Sequence, residues 1–209
     1  DFALIVVHAV DGIGVGTERM WHQAAQLGIP KILVINGINR QNSSWKTVLG
    51  QLRKAFGNTV FPMTVPLREG THSHECLDVL RSNLTVYKED QSGRFEESNP
   101  EGADAEHVAD WHGQLVEYVA EAEDALLERF FDQGGLSEEE LRGSLHAAFQ
   151  SQTFVPLFCT AADANVGVTR LLDFIAKFGS SPVDRKTVSA QSDSGQEVDI
   201  DLGGSEPVA

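Results

Sequence analysis

The chain has 209 residues, 41% of them hydrophobic and 22% charged, enough for one substantial core or two small ones, which excludes disorder throughout. Sixteen Lys and Arg stand against 31 Asp and Glu, and the net charge of −15 argues against a basic nucleic-acid groove or an anionic lipid surface. No apolar run approaches the roughly 20 residues of a spanning helix, and no basic segment precedes a short apolar one as in a secretion signal, so the expected setting is cytoplasmic and without a membrane.

Ala3 to Val7 is a continuous apolar run of strand length, the pattern of a buried parallel strand; lying two residues from a start without Met, it reads as the interior of a longer protein. Gly12, Gly14 and Gly16 then form a tight turn. A dinucleotide fingerprint would need glycine where Thr17 stands, and an acid at the end of the next strand. His8 and His22 flank the turn with no companion nucleophile, and no G-x-S-x-G elbow occurs. Glu18 to Leu27 reads as a helix stopped by Gly28 and Pro30, and Lys31 to Ile35 as a second apolar strand. A strand, crossover helix, strand unit demands parallel pairing. The turn Asn36-Gly37-Ile38-Asn39 therefore sits at the carboxyl end of a parallel strand, where open α/β sheets bind ligands. The bland account of both asparagines is a simple turn.

Residues 44–56 carry an apolar stripe (Trp45, Val48, Leu49, Leu52, Phe56) and predict a helix; Val60 to Val65 is a strand-like run interrupted by Pro62. Residues 63–153 then break the α/β rhythm and read as an insertion with its own small core. His72, His74 and Cys76 alternate and on a strand would face one way, yet structural zinc takes four ligands and Cys159 lies in another segment, so no metal is expected. Both thiols fit a reducing compartment.

Within the insertion, Val108, Trp111, Leu115, Val119, Ala122 and Leu126 recur at helical spacing. At about 100° per residue, Glu106, Asp110, Glu117, Glu121, Asp124 and Glu128 fall within roughly 60° of one another on the opposite side, an acidic ridge. Residues 101–140 hold thirteen acids and one base, and residues 188–209 five acids and none, so the acidity is concentrated in one segment and a tail. Solvated faces normally mix signs, since like charges at i,i+4 cost a few tenths of a kcal/mol, so the ridge suits a basic partner. Ser137 and Glu140 make a capping box for a helix over Glu138–Phe149. Phe154 to Phe158 predicts a third core strand, Thr169–Phe178 a helix, and the Ser-, Pro-, Asp- and Gly-rich residues after Gly179 a linker.

The run "VVHAVDGIGVGTERMWHQAAQLGIPKILVINGINR" resembles the middle of the G domain of elongation factor G, the ribosomal translocation GTPase: an apolar strand, a Gly-rich turn, E-x-x-W-x-Q-A, a proline with a base, a strand, then Asn-Lys-x-Asp. The resemblance continues through "WHGQLVEYVAEAEDALLERF", "LSEEEL", "FVPLFCTA", "GV…LLD" and "SPVD", covering about residues 1–185. It implies an α/β fold, part of a P-loop NTPase parallel sheet without its N-terminal strands, with 1–62 and 154–179 as nucleotide-binding core, 63–153 as an inserted α+β subdomain, and 180–209 as a largely flexible link. The phosphate loop, switch segments and Mg²⁺ ligands would precede Asp1, so this stretch by itself should not hydrolyse GTP.

The resemblance also implies site residues. In Asn-Lys-x-Asp the aspartate accepts from guanine N1–H and the 2-amino group; here Asn36 is kept, Gly37 replaces the Lys, and Asn39 replaces the Asp. An amide there mismatches guanine, so weakened or altered specificity for GTP and GDP is expected, and xanthine would suit Asn39 better. The second base-binding motif, Ser-Ala, falls on Ala161-Ala162 without a gap or on Thr160-Ala161 with one inserted residue, and a backbone N–H is expected to reach the base oxygen. By the same resemblance, Glu117, Glu121 and Asp124 are the contacts for the basic C-terminal domain of the large-subunit stalk protein on the ribosome. Two functions stand side by side: part of an elongation factor G-like translational GTPase, or a degenerate paralogue that docks on the ribosome without hydrolysing guanine nucleotide.

Overall fold

The computed structural model describes residues 2–71, 73–120, 138–179, 187–192 and 195–201. Four parallel strands form the first sheet in the order β1-β2-β8-β3: β1 (Ala3–His8), β2 (Lys31–Asn36), β3 (Val60–Pro62) and β8 (Val155–Thr160). Ala3 pairs with Lys31, Leu33 with Leu157, and Val60 with Val155, so the three runs read as core strands do lie side by side. Every residue of β8 is buried, and in β2 Ile32, Leu33, Val34 and Ile35 are buried, as strands covered on both faces should be. β1 differs: Ile5 and Val7 are buried, whereas Leu4 and Val6 on its other face are 45% and 55% exposed.

Helix α1 (Val15–Gln26) starts earlier than the Glu18 expected, because Gly14 serves as its N-cap and the polar first turn carries no apolar periodicity to announce it. Helix α2 (Trp45–Phe56) is capped by Ser44, whose Oγ accepts from Thr47 N at 3.4 Å, and it buries Trp45, Val48, Leu49 and Leu52. Trp21 of α1 stacks on Phe56 of α2 with ring centroids 4.2 Å apart.

Pro62 divides what reads as a single run. It ends edge strand β3, where its missing N–H costs nothing, and Met63 donates across to Leu157 O at 2.8 Å. The chain then enters a second, antiparallel sheet with the order β4-β5-β6-β7, formed by β4 (Thr64–Pro66), β5 (Glu75–Asp78), β6 (Asn83–Tyr87) and β7 (Phe95–Ser98). Cys159 N donates to Thr64 Oγ1 at 2.9 Å, tying the two sheets together. Helix α3 (Ala103–Ala120) buries Val108, Leu115, Val116, Val119 and Ala120. Phe61 of β3 meets Trp111 of α3 edge-on at 5.9 Å and Phe154 at 6.2 Å, so the aromatic core is shared between first sheet and insert. Ala122 and Leu126 of the expected stripe, and Ser137 of the expected capping box, lie outside the described residues.

Helix α4 (Glu138–Gln150) and helix α5 (Val168–Phe178) pack over the first sheet through Phe149, Phe158 and Phe174. In the stretch read as a linker, β9 (Thr187–Gln191) and β10 (Glu197–Asp201) pair antiparallel as a hairpin with mostly exposed side chains. Among the described residues no helix is long and apolar enough to cross a membrane.

Candidate functional site at the carboxyl ends of the parallel strands

The last residues of β2 and β8, Asn36 and Thr160, are register partners, so the turns that follow them leave the sheet side by side. Gly37 N and Ile38 N both donate to Thr160 O, at 2.8 and 3.2 Å. Asn36 fastens the second turn with its side chain: Oδ1 accepts from Thr160 Oγ1 and from Ala162 N, each at 3.0 Å. One amide oxygen thereby fixes two residues 124 and 126 positions away in sequence.

Gly37 has φ +86°, and a Cβ built there would stand 3.2 Å from His8 Nε2 and 3.3 Å from Arg40 Cγ. The position favours glycine for its backbone, and the His8 ring and the Arg40 stem occupy the space beside it. His8, at the end of β1, is itself held by Asp11 Oδ2 at 2.9 Å from Nδ1. Ile38 is fully buried, and its carbonyl accepts from Ser43 Oγ at 2.8 Å and Ser73 Oγ at 3.0 Å, which anchors the turn from below.

Asn39 does not simply make a turn. Its Nδ2 donates to Asp163 Oδ1 at 3.0 Å, and Arg40 Nη2 meets Asp163 Oδ2 at 2.9 Å. Asn39 Oδ1 is buried without a hydrogen-bond partner. Asp163 lies in the short 3₁₀ turn Ala162–Ala164, directly after the Ala161-Ala162 pair. Sequence reasoning missed Asp163 and Arg40; the only signal was a carboxylate immediately following the small-residue pair. The expected backbone donors are engaged within the chain: Ala161 N donates to Val166 O at 3.0 Å and Ala162 N to Asn36 Oδ1. A base oxygen would have to share or displace Asn36 at Ala162 N.

The structure therefore brings together Asn36, Gly37, Asn39, Thr160, Ala161 and Ala162 at one end of the sheet, with His8, Arg40 and Asp163 beside them. The insert's acidic residues belong to a different surface. Glu106, Asp110 and Glu117 are exposed on α3, opposite buried Val108, Leu115 and Val119, while Glu121, Asp124 and Glu128 lie outside the described residues. His74 pairs loosely with Glu89 (3.7 Å), Cys76 is buried, and His72 lies outside the described residues; no metal-holding group occurs among those described.

A family model for the elongation factor Tu GTP binding domain matches residues 1–181. The crystal structure of ttk003000868 from Thermus thermophilus superposes with a TM-score of 0.80 at 27% sequence identity, covering 89% of this chain and 27% of that one. The chain thus spans about a quarter of that protein's length. With the mixed α/β architecture, the parallel sheet and the joined turns at its carboxyl ends already in place, the match over residues 1–181 makes this chain a member of the elongation factor Tu GTP-binding domain family, a G domain of the translational GTPase type.

Proposed function

We propose that this chain is the base-recognising half of the GTP-binding domain of an elongation factor G-like translational GTPase. The observation that carries the reading is Asn36: its side chain pins the turn after β8 to the turn after β2, so the two loops that the family uses for the base are held as one preorganised unit. Asn36, Gly37, Asn39, Thr160, Ala161 and Ala162 make up these two strand ends and turns, with Thr160 and Ala161 buried within them. Phosphate cradling, Mg²⁺ ligation and hydrolysis are assigned to segments that the resemblance puts upstream of Asp1. Calorimetry of the full-length gene product with GDP, GTP and xanthosine diphosphate tests this reading. Heat with a purine nucleoside diphosphate is expected, and none with any of the three would overturn it.

The insert supplies the partner side of the reading. The exposed face of α3 carries Glu106, Asp110 and Glu117 with no base among them. A ridge of one sign suits the basic surface of the large-subunit stalk protein on the ribosome, with Glu121 and Asp124 as its continuation in sequence. Reversing two charges, Glu117→Lys with Glu121→Lys, is expected to weaken stalk-domain binding tenfold or more at low salt, and less as salt rises. Unchanged affinity would remove the docking role.

The second reading, a ribosome-docking paralogue without guanine hydrolysis, draws its support from the same turns. Gly37 offers no stem to cover a base, and Ala162 N is already engaged. The same calorimetry separates the two readings, since the paralogue would dock on the stalk yet give no nucleotide heat.

A further inference from the structure

A guanine edge presents two adjacent donors, N1–H and the 2-amino group, and an ionised carboxylate is the one side chain that accepts both at once. Residue 39 cannot do so, because it is an amide. A carboxylate nevertheless stands within one hydrogen bond of it, carried by the opposite loop: Asp163 Oδ1 accepts from Asn39 Nδ2 at 3.0 Å, and Asp163 Oδ2 is held by Arg40 Nη2 at 2.9 Å. Each carboxylate oxygen has room for about two donors, so one site on each remains after Asn39 and Arg40 have taken theirs. The Asp163 side chain is 49% exposed, which leaves those sites open to an incoming group.

The position of Asp163 is also fixed. It follows Ala162, whose N–H is tied to Asn36 Oδ1, and Ala164 N donates to Ala161 O at 3.0 Å within the same short turn. Asn39 is oriented in turn: with its Nδ2 committed to Asp163 and its Oδ1 buried, it cannot offer an acceptor to a base without breaking that contact. The amide's own preference for xanthine is thereby replaced by the preference of the carboxylate behind it. A carboxylate attracts the 2-amino group of guanine and repels the 2-oxo group of xanthine.

We propose that Asp163 is the specificity-determining residue for the purine base, accepting from N1–H and the exocyclic 2-amino group in place of residue 39, with Asn39 and Arg40 as positioning residues. The proposal rests on the nucleotide-site reading above and reverses the base preference that Asn39 alone implies.

The experiment measures binding of GDP, IDP and xanthosine diphosphate to the full-length gene product and to three variants. Wild type is expected to bind GDP at least tenfold tighter than xanthosine diphosphate. Asp163→Asn should lose tenfold or more in GDP affinity while narrowing or reversing that preference, and Asn39→Asp with Asp163→Asn, which returns the carboxylate to residue 39, should regain GDP. Arg40→Gln, which leaves both base-facing groups in place, should lower all three affinities by a similar, smaller factor. If Asp163→Asn leaves GDP binding unchanged, or weakens GDP and xanthosine diphosphate equally as a simple strap between loops would, the proposal falls while the nucleotide site stands. A wild-type preference for xanthosine diphosphate has the same meaning. Binding of none of the three by wild type overturns the site reading itself.

Discussion

Arg170 Nε and Asp78 Oδ2 lie 3.1 Å apart with only 4% and 5% of their side chains exposed, joining α5 to strand β5 of the second sheet. The Nε–H is not aimed at the carboxylate, so the pair is electrostatic and the donor itself is left without a hydrogen bond. Around it, Arg170 Nη2 reaches Thr85 Oγ1 at 3.2 Å and Glu97, and the guanidinium sits 4.6 Å from the Phe95 ring centroid. Asp78 has its own second cation, Arg81 Nη1 at 2.6 Å, and accepts from Arg81 N at 3.0 Å. Replacing Arg170 by Met leaves a buried carboxylate with Arg81 alone, and about 2–4 kcal/mol of stability should be lost. Urea unfolding checks this; a variant within about 0.5 kcal/mol of wild type would show that packing, not charge, joins α5 to the insert.

The same network sets an acid dependence. The hydrogen bond from Arg170 is the main cause holding the Glu97 carboxyl below its ordinary value of 4.5, against the opposing effect of burial. A carboxyl depressed in the folded state contributes stability above its unfolded value, and that contribution disappears as pH falls through the folded one. Glu97 is 46% exposed, so solvent screening keeps the effect small. Stability measured from about pH 6 downward should therefore fall less steeply in Glu97→Gln than in wild type, with the difference confined below about pH 5. Parallel curves for the two proteins would refute the assignment.

Gly167 precedes α5 with φ +77°, and a Cβ there would lie 2.3 Å from Cys159 O and 3.3 Å from Thr160 Cα, both backbone atoms of the fully buried β8. Gly167→Ala should cost at least about 2 kcal/mol, since the left-handed backbone alone costs about 1–2 and the strand cannot move aside. Gly113 is the control: it sits inside α3 with nothing within 4 Å of a built Cβ. Gly113→Ala should stabilise by about 0.5–1 kcal/mol. Thermal melts of the two variants should move in opposite directions.

What the sequence made legible follows the length of the signal. The apolar runs at Ala3, Lys31 and Phe154 are each a few residues long and pair in one parallel sheet, so local composition suffices to find them and the crossover rule to align them, although only alternate residues of the first are buried. Pro62 marked an interruption correctly, but only the pairing of Met63 N with Leu157 O reveals that the chain changes sheets there. The β9–β10 hairpin was legible in the strict polar–apolar alternation of Thr-Val-Ser-Ala-Gln and Glu-Val-Asp-Ile-Asp, and it escaped because the Ser-, Asp- and Gly-rich composition around it reads as a linker. At the site, Asn36 and Asn39 were visible through their place after β2, whereas Asp163 was not. Its role depends on a side-chain contact across 124 residues, and nothing local distinguishes such a carboxylate from a solvated turn residue.

Cys76 and Cys159 are both buried and free. Burial pushes the Cys76 thiol up to about 12, with Glu75 adding to it, and raises Cys159 well above its ordinary range. Since the thiolate is the nucleophile, neither should react with iodoacetamide at pH 8 in the folded protein, and both should react in urea. Intact-mass measurement gives the count directly. Labelling of either cysteine without denaturant would mean that the first sheet or the insert opens far more readily than its packing implies.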